Sequence, residues 1–305
     1  MGNVFEIAIV SENKTWANTQ IDLAIEEIRR IEKLLTTFSD NSVTHNINKN
    51  AGIQPVEVPR EVFDLIFRCQ KISVLTQGAF DISYGGLDKR FWNFDINMKT
   101  LPSVEKATKA VQFIDYQKIF LDEKNETVFL KEAGMRIGFG GIGKGYAADK
   151  TTQLLKKNGV MSGFVNAAGD LNTWGIQENG KPWTIGVADP SQSQKAFSSL
   201  DITNAAVATS GNYEKFVIID GQRYSHTIDP KTGFPVSGIK SVTIITTNAE
   251  LADALTTPIM VMGISAGLSL INQMKGVGCI IIDDHNKLFL SKNINIIHEK
   301  DIYNS

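Results

Sequence analysis

The densest chemistry in the chain lies in Gly138-Phe139-Gly140-Gly141-Ile142-Gly143-Lys144-Gly145-Tyr146-Ala147-Ala148-Asp149. A strand-like run ends in a cluster of glycines, a lysine follows, and a helical pattern begins at once. Glycine lets the backbone take positive φ and lets a bulky group approach the main chain closely. A helix start presents free N–H groups to an anion, and Lys144 adds a full positive charge. Phosphate suits that combination; a glycine-rich turn that starts a helix and binds nothing is the competing reading. Two familiar patterns overlap here. Gly138-x-Gly140-x-x-Gly143 fits the dinucleotide fingerprint, and Gly138-x4-Gly143-Lys144 fits most of a P-loop. The P-loop match fails at Gly145, where a hydroxyl residue should hold magnesium. The dinucleotide match lacks an acidic residue at the end of the next strand, since Asp170 comes late.

A phosphate site without that hydroxyl needs metal ligands from elsewhere. Asp253 and Thr257, in Ala249-Glu250-Leu251-Ala252-Asp253-Ala254-Leu255-Thr256-Thr257, stand four apart and share one helix face. A carboxylate and a hydroxyl suit magnesium, which keeps several waters and adds substrate oxygens. An exposed helix charge beside a threonine bonded to its own backbone has the same spacing. His226 precedes the turn Thr227-Ile228-Asp229-Pro230-Lys231-Thr232-Gly233 and suits a general base, a phosphate contact or a structural histidine. Ser210, in Ala208-Thr209-Ser210-Gly211, has none of the flanking pattern of a nucleophile elbow. Thr76-Gln77-Gly78-Ala79-Phe80-Asp81-Ile82, followed by Phe91-Trp92-Asn93-Phe94, would wall a flat ring system or pack a core.

The elements that must carry these residues alternate irregularly. Strands are expected at 4–10, 163–166, 183–187, 200–202, 206–209 and 241–247. Hairpins are expected over 118–131, around Asp220-Gly221 and over 278–291. Helices are expected at 19–37, from Pro59 to Gly78, from Ser103 to Val111, from Lys144 to Gly159 and after Asn248, with 39–50 as a polar loop. Hairpins between helices, without steady βαβ alternation, predict an α+β fold of mixed, largely antiparallel sheets with packed helices. One integrated domain over 1–305 is the simpler expectation.

Hydrophobic content of 42% and charged content of 21% over 305 residues describe a globular protein with an ample core. A net charge of −2 gives no basic face for nucleic acid. Cys69 and Cys279 are expected as buried free thiols. The uncharged run 254–273 is about long enough to span a membrane, but its Thr, Ser, Gly and Pro content suits two short helices with a break, so no transmembrane segment is expected.

Taken in order, these motifs resemble the ApbE family of FAD:protein FMN transferases. Met1-Gly2-Asn3 resembles the family's start, and Phe38-x3-Ser42…Asn48 its early loop. Thr76-x-Gly78-Ala79-Phe80-Asp81 resembles its flavin-side segment, and Gly140 to Asp149 its signature. Ala208-Thr209-Ser210-Gly211, His226-x-Ile228-Asp229-Pro230-x-Thr232-Gly233 and Ala252-Asp253-Ala254-Leu255-x-Thr257 follow in family order. The resemblance implies an ApbE-like, T-fold-like architecture. It also implies an enzyme that cleaves the FAD pyrophosphate, transfers FMN to a threonine hydroxyl of an acceptor flavoprotein and releases AMP, with Mg2+ as cofactor and FAD as substrate. FAD hydrolysis to FMN and AMP, or FAD binding without turnover, are the alternatives. By position, the Gly141 carbonyl and the side chains of Asp253 and Thr257 would hold magnesium, with Asp253 and Lys144 catalytic and Lys144 on the FAD phosphates. Met1, Phe38, Ala79, Phe80, Asp81, Ser210 and Thr227 would line the FAD site. His226 would act on the acceptor threonine as base or positioning group. Gly138 stands where the family usually has Asp, and Ala168-Gly169-Asp170 replaces its Gly-Gly-Asp/Asn turn. Family members are often exported lipoproteins. No signal or lipid-attachment cysteine precedes Met1, which leaves a trimmed chain or a cytoplasmic member as the expectation.

Overall fold

Along the chain, described by a computed structural model for residues 4–88, 90, 92, 98–189, 192–211 and 216–294, helices and hairpins alternate as the motif order requires. Of residues 185–189 and 192–201 the backbone alone is described. The strands are β1 (Phe5–Ile9), β2 (Val56–Glu57), β3 (Ile119–Asp122), β4 (Thr127–Leu130), β5 (Gly163–Ala167), β6 (Asp170–Trp174), β7 (Trp183–Asp189), β8 (Gln192–Ile202), β9 (Ala206–Gly211), β10 (Phe216–Ile219), β11 (Gln222–Ser225), β12 (Ile239–Thr246), β13 (Gly278–Asp283) and β14 (Leu288–Leu290). The helices are α1 (Lys14–Leu35), α2 (Val43–Lys49), α3 (Arg60–Leu75), α4 (Val104–Ala110), α5 (Gly143–Lys157), α6 (Ala249–Met262) and α7 (Ile264–Ile271). Mixed helices and antiparallel sheets make this an α+β fold.

Two compact units arise, each from separated segments: Met1–Arg29, Ile142–Glu214 and Gly238–Ser305 form one, Arg30–Gly141 and Lys215–Ser237 the other. In the first unit seven strands form a sheet in the order β1-β5-β6-β9-β12-β13-β14, every pair antiparallel. Helices α5 and α6 are rich in small residues, and their buried positions include Gly145, Ala147, Ala148, Ala249, Ala252 and Ala254. Short side chains let two helix backbones approach each other closely. Ala148, Leu155 and Ala249 join Val165, Ala167 and Trp174 in one core, and the Trp174 indole N–H donates to the Val160 carbonyl at 2.9 Å. The uncharged run after Asp253 breaks at Gly263 (φ +81°) into α6 and α7, and no described helix is long and apolar enough to cross a membrane.

In the second unit β2, β4 and β3 form a small antiparallel sheet, and β10 and β11 a hairpin that turns at Asp220-Gly221 with φ of +50° and +77°. The polar run 39–50 is not all loop. Ser42 caps α2 by accepting from the His45 N–H at 2.9 Å, and Thr44 and Ile47 are its buried residues. Asn48, at the end of this motif, clamps the strand-like approach to the glycine cluster. Its Nδ2 donates to the Ile137 carbonyl at 3.0 Å, and its Oδ1 accepts from the Ile137 N–H at 2.7 Å. Both cysteines are buried and free, Cys69 in this unit and Cys279 in the first.

Candidate functional site

Helix α5 begins without a side-chain cap at Ile142, so its first N–H groups need partners from elsewhere. Asp253 supplies one: the Gly145 N–H donates to Asp253 Oδ2 at 3.0 Å. Glycine at 145 makes this approach possible. A Cβ there would collide with the Ala249 carbonyl and stand 2.8 Å from the Asp253 Cβ. One residue earlier, the Lys144 ammonium donates to Asp170 Oδ2, an ion pair set by the first residue of β6. Asp170 is 1% exposed and Asp253 4%. The first unit thus gathers Lys144, Asp170 and Asp253 into one buried cluster.

Burial and the neighbouring Asp253 carboxylate push the Asp170 carboxyl up to about 8, against Lys144. Burial likewise raises Asp253, while Lys144 and the Gly145 N–H favour its ionised form. The two buried carboxyls act on each other and titrate as a pair. Burial acts to lower the Lys144 ammonium, but the Asp253 and Asp170 charges outweigh it and hold it above its ordinary value. The sign of the pH dependence follows. A folded carboxyl raised to about 8 retains its proton where the unfolded chain has lost it, so its stabilisation is full below about pH 4 and lost as pH rises to about 8. In metal-free buffer, wild-type stability relative to Asp170→Asn is therefore expected to fall steadily between those limits. Paired thermal melts across that range check it, and a flat difference would contradict the raised Asp170 carboxyl.

Once both carboxyls are ionised, two carboxylates against one ammonium leave negative charge that a divalent cation would offset, and oxygen donors of this kind suit magnesium. Among the described residues no group of three or more His, Cys, Asp and Glu side chains gathers for a metal. Around Asp253, the Thr256 hydroxyl donates to the Asp253 carbonyl at 2.8 Å and pairs with the Ser210 hydroxyl at 2.7 Å. Ser210 therefore braces α6 from β9. Thr257 lies half-buried one turn beyond Asp253.

The second unit carries the remaining sequence-derived candidates. Ala79 and Phe80 are buried, and a Cβ built on Gly141 would meet the Phe80 ring at 3.8 Å. Asp81 is engaged at both oxygens: Oδ1 accepts from the Ser83 N–H at 2.8 Å and the Ser83 hydroxyl at 2.6 Å, and Oδ2 from the Tyr116 N–H at 2.7 Å. Those bonds shape the Ala79-Phe80 loop, while burial raises the Asp81 carboxyl against them. Gly78 (φ +82°) lies in ordinary contact range of the Tyr116 ring and the Lys231 side chain, which places the Asp229–Gly233 turn beside this loop. Thr227 is buried with its carbonyl accepting from Val236, and His226 is half-buried next to it. Phe38 is 97% exposed, a full aromatic face open to a flat partner. Met1, Phe91, Asn93 and Phe94 lie outside the described residues.

Two residues at this site were given no role from sequence. Asp170 reaches Lys144 through the β5–β6 hairpin, and Asp149 fastens α5 to the start of α6. Comparison with known proteins places the arrangement in context. The ApbE family model matches residues 1–281. FAD:protein FMN transferase of Klebsiella pneumoniae is 31% identical, with 95% of this chain and 89% of the relative covered. The Treponema pallidum protein of the same description is 30% identical over 90% of this chain and 81% of the relative. The ApbE protein of Thermotoga maritima superposes with a TM-score of 0.84 at 32% identity, covering 95% of this chain and 94% of that one. Apo flavinyl transferase ApbE of Pseudomonas stutzeri gives a TM-score of 0.83 at 27% identity, covering 96% and 92%. With the family pattern matched over nearly its whole length and the fold shared with solved members, the chain belongs to the ApbE family.

Proposed function

We propose that this chain is a magnesium-dependent FAD:protein FMN transferase that moves FMN from FAD to a threonine hydroxyl of an acceptor flavoprotein and releases AMP. The observation that carries the reading is the buried Lys144–Asp170–Asp253 cluster at the start of α5, an acid-rich phosphate site without a P-loop hydroxyl. Asp253 and Thr257, with the Gly141 carbonyl, would hold the metal. The chemistry a bound magnesium supplies is neutralisation of the charge that develops on the pyrophosphate oxygens.

The chain's own groups would do the rest. Lys144 contacts the phosphates and, held by Asp170, arrives oriented rather than mobile. Phe38, Ala79, Phe80 and Thr227, with Met1 and Asp81, line the FAD site, and Asp81 also holds the Ala79-Phe80 loop in shape. His226 receives or orients the proton of the acceptor threonine. As that oxygen bonds to the FMN phosphorus, the bond from phosphorus to the AMP oxygen breaks and AMP leaves. Ser210 contributes by fixing α6 through Thr256.

Incubation of the chain with FAD, magnesium and an acceptor peptide bearing the family's threonine motif tests this. Mass spectrometry is expected to find an FMN adduct on the threonine and one AMP per adduct. AMP and free FMN in equal amounts, with no adduct, would assign hydrolysis instead. FAD binding without any AMP would leave only a flavin-binding protein.

A further inference from the structure

Helices α5 and α6 cap each other. Asp149, 5% exposed on α5, accepts from the Ala249 N–H through Oδ1 and from the Glu250 N–H through Oδ2, both at 2.9 Å. Those are the first two N–H groups of α6, and Asn248 caps the third by accepting from Leu251 at 2.7 Å. In return Asp253 of α6 accepts from the Gly145 N–H in the first turn of α5. Asn172 of β6 fixes the Asp149 carboxylate from a third side, donating from Nδ2 to Oδ1 at 2.5 Å. Each helix start has N–H groups that its own sequence leaves open, and a carboxylate of the other helix takes them.

We infer that Asp149 is a positioning residue for the transfer site: it sets the register of α6 along α5, and so fixes where Asp253 stands relative to Lys144. This rests on the function proposed above. Asp149 touches neither Lys144 nor Asp253, and acts through the two-rung bracket. A displacement of the Asp149 rung is transmitted to the other because Gly145 leaves no side chain to absorb it. Residues that orient a metal ligand typically change metal affinity by about 10–100-fold when altered.

The test uses Asp149→Asn, which keeps the side-chain shape but turns an amide N–H2 toward one of the α6 N–H groups. Hydrogen exchange of the metal-free full chain is expected to quicken at 249–251 and also at 143–147, which Asp149 does not cap, while β12 keeps its protection. The magnesium concentration that half-saturates the rise in melting temperature is expected to increase about tenfold. Faster exchange confined to 249–251, with a wild-type magnesium response, would overturn the inference and leave Asp149 a cap for α6 alone. If Asp149→Asn does not melt cooperatively, Asn172→Ala carries the same test. It removes one contact and keeps both caps, and a smaller increase at both rungs is required. The exchange experiment needs no turnover, so failure of the bracket and failure of the transferase reading appear separately.

Discussion

Asp253→Ala is expected to abolish magnesium-dependent flavin transfer while the chain still folds. The variant removes the carboxylate proposed to hold the metal, and the loss should reach at least a hundred- to thousandfold, on the order of deleting one dedicated transition-state contact. Stability should change far less, because two effects oppose. The Gly145 N–H loses its partner in a buried place, a cost of about 1–3 kcal/mol. Against that, Asp170 no longer faces a second carboxylate and is left one-to-one with Lys144, so its carboxyl should fall from about 8 toward the ordinary range. A net change of about 1 kcal/mol corresponds to about 1.5 °C in melting temperature for a chain of this size. Magnesium titrations of the transfer rate, run beside thermal melts, check both halves. Wild-type rates with a wild-type magnesium response would take Asp253 out of the metal site, and loss of the cooperative melt would mean that the carboxylate is chiefly structural.

What the sequence made legible follows the range of the interactions involved. Lys144 at a helix start and Asp253 with Thr257 on one helix face are local patterns, readable from spacing of one to four residues. Helix boundaries at Ser103, Asn248 and Gly159 carry their own caps and breakers and stand where expected, and the break expected within 254–273 falls at Gly263. Asp170 was noted as an acid in the wrong place for a dinucleotide site and as the end of the Ala168-Gly169-Asp170 turn, without a role. Its true position depends on a two-residue turn, Ala168-Gly169, with φ of +53° and +98° and the Gly169 N–H donating to Asn166 Oδ1 at 2.8 Å. An alanine in a left-handed turn position gives no hairpin signal of the Asn-Gly kind, so β6 was missed and Asp170 with it. Helix α2 was missed because a seven-residue polar helix with two buried residues shows no apolar period, although Ser42 offered a cap. Asp81 shows the opposite case. Its motif was found, but the bonds to Ser83 and Tyr116 that occupy its oxygens come from tertiary structure and have no local mark.

Gly145→Ser is the substitution in which pattern and structure disagree most sharply. On paper it completes a P-loop, giving Gly138-x4-Gly143-Lys144 its missing hydroxyl. Helix propensity favours it too, since glycine inside a helix is less favourable than other ordinary residues by a few tenths to about 1 kcal/mol. The packing forbids it. The new Cβ would overlap the Ala249 carbonyl and stand 2.6 Å from the Ala249 carbonyl carbon and 2.8 Å from the Asp253 Cβ. Most of that is backbone, which cannot swing aside as a long side chain would, so α5 and α6 must separate. Separation breaks the Gly145–Asp253 bond and strains the Asp149 caps on Ala249 and Glu250 at once. Overpacking of this kind costs about 1–3 kcal/mol or more, and the lost bonds add to it. The expected result is a chain with a clearly lowered melting temperature and no detectable flavin transfer at any magnesium concentration. Gly145→Ala should behave the same way, because the obstacle is the Cβ and not the hydroxyl. If serine instead preserved or raised activity while alanine abolished it, the hydroxyl would be serving as a metal ligand. The loop would then be working as the P-loop it resembles.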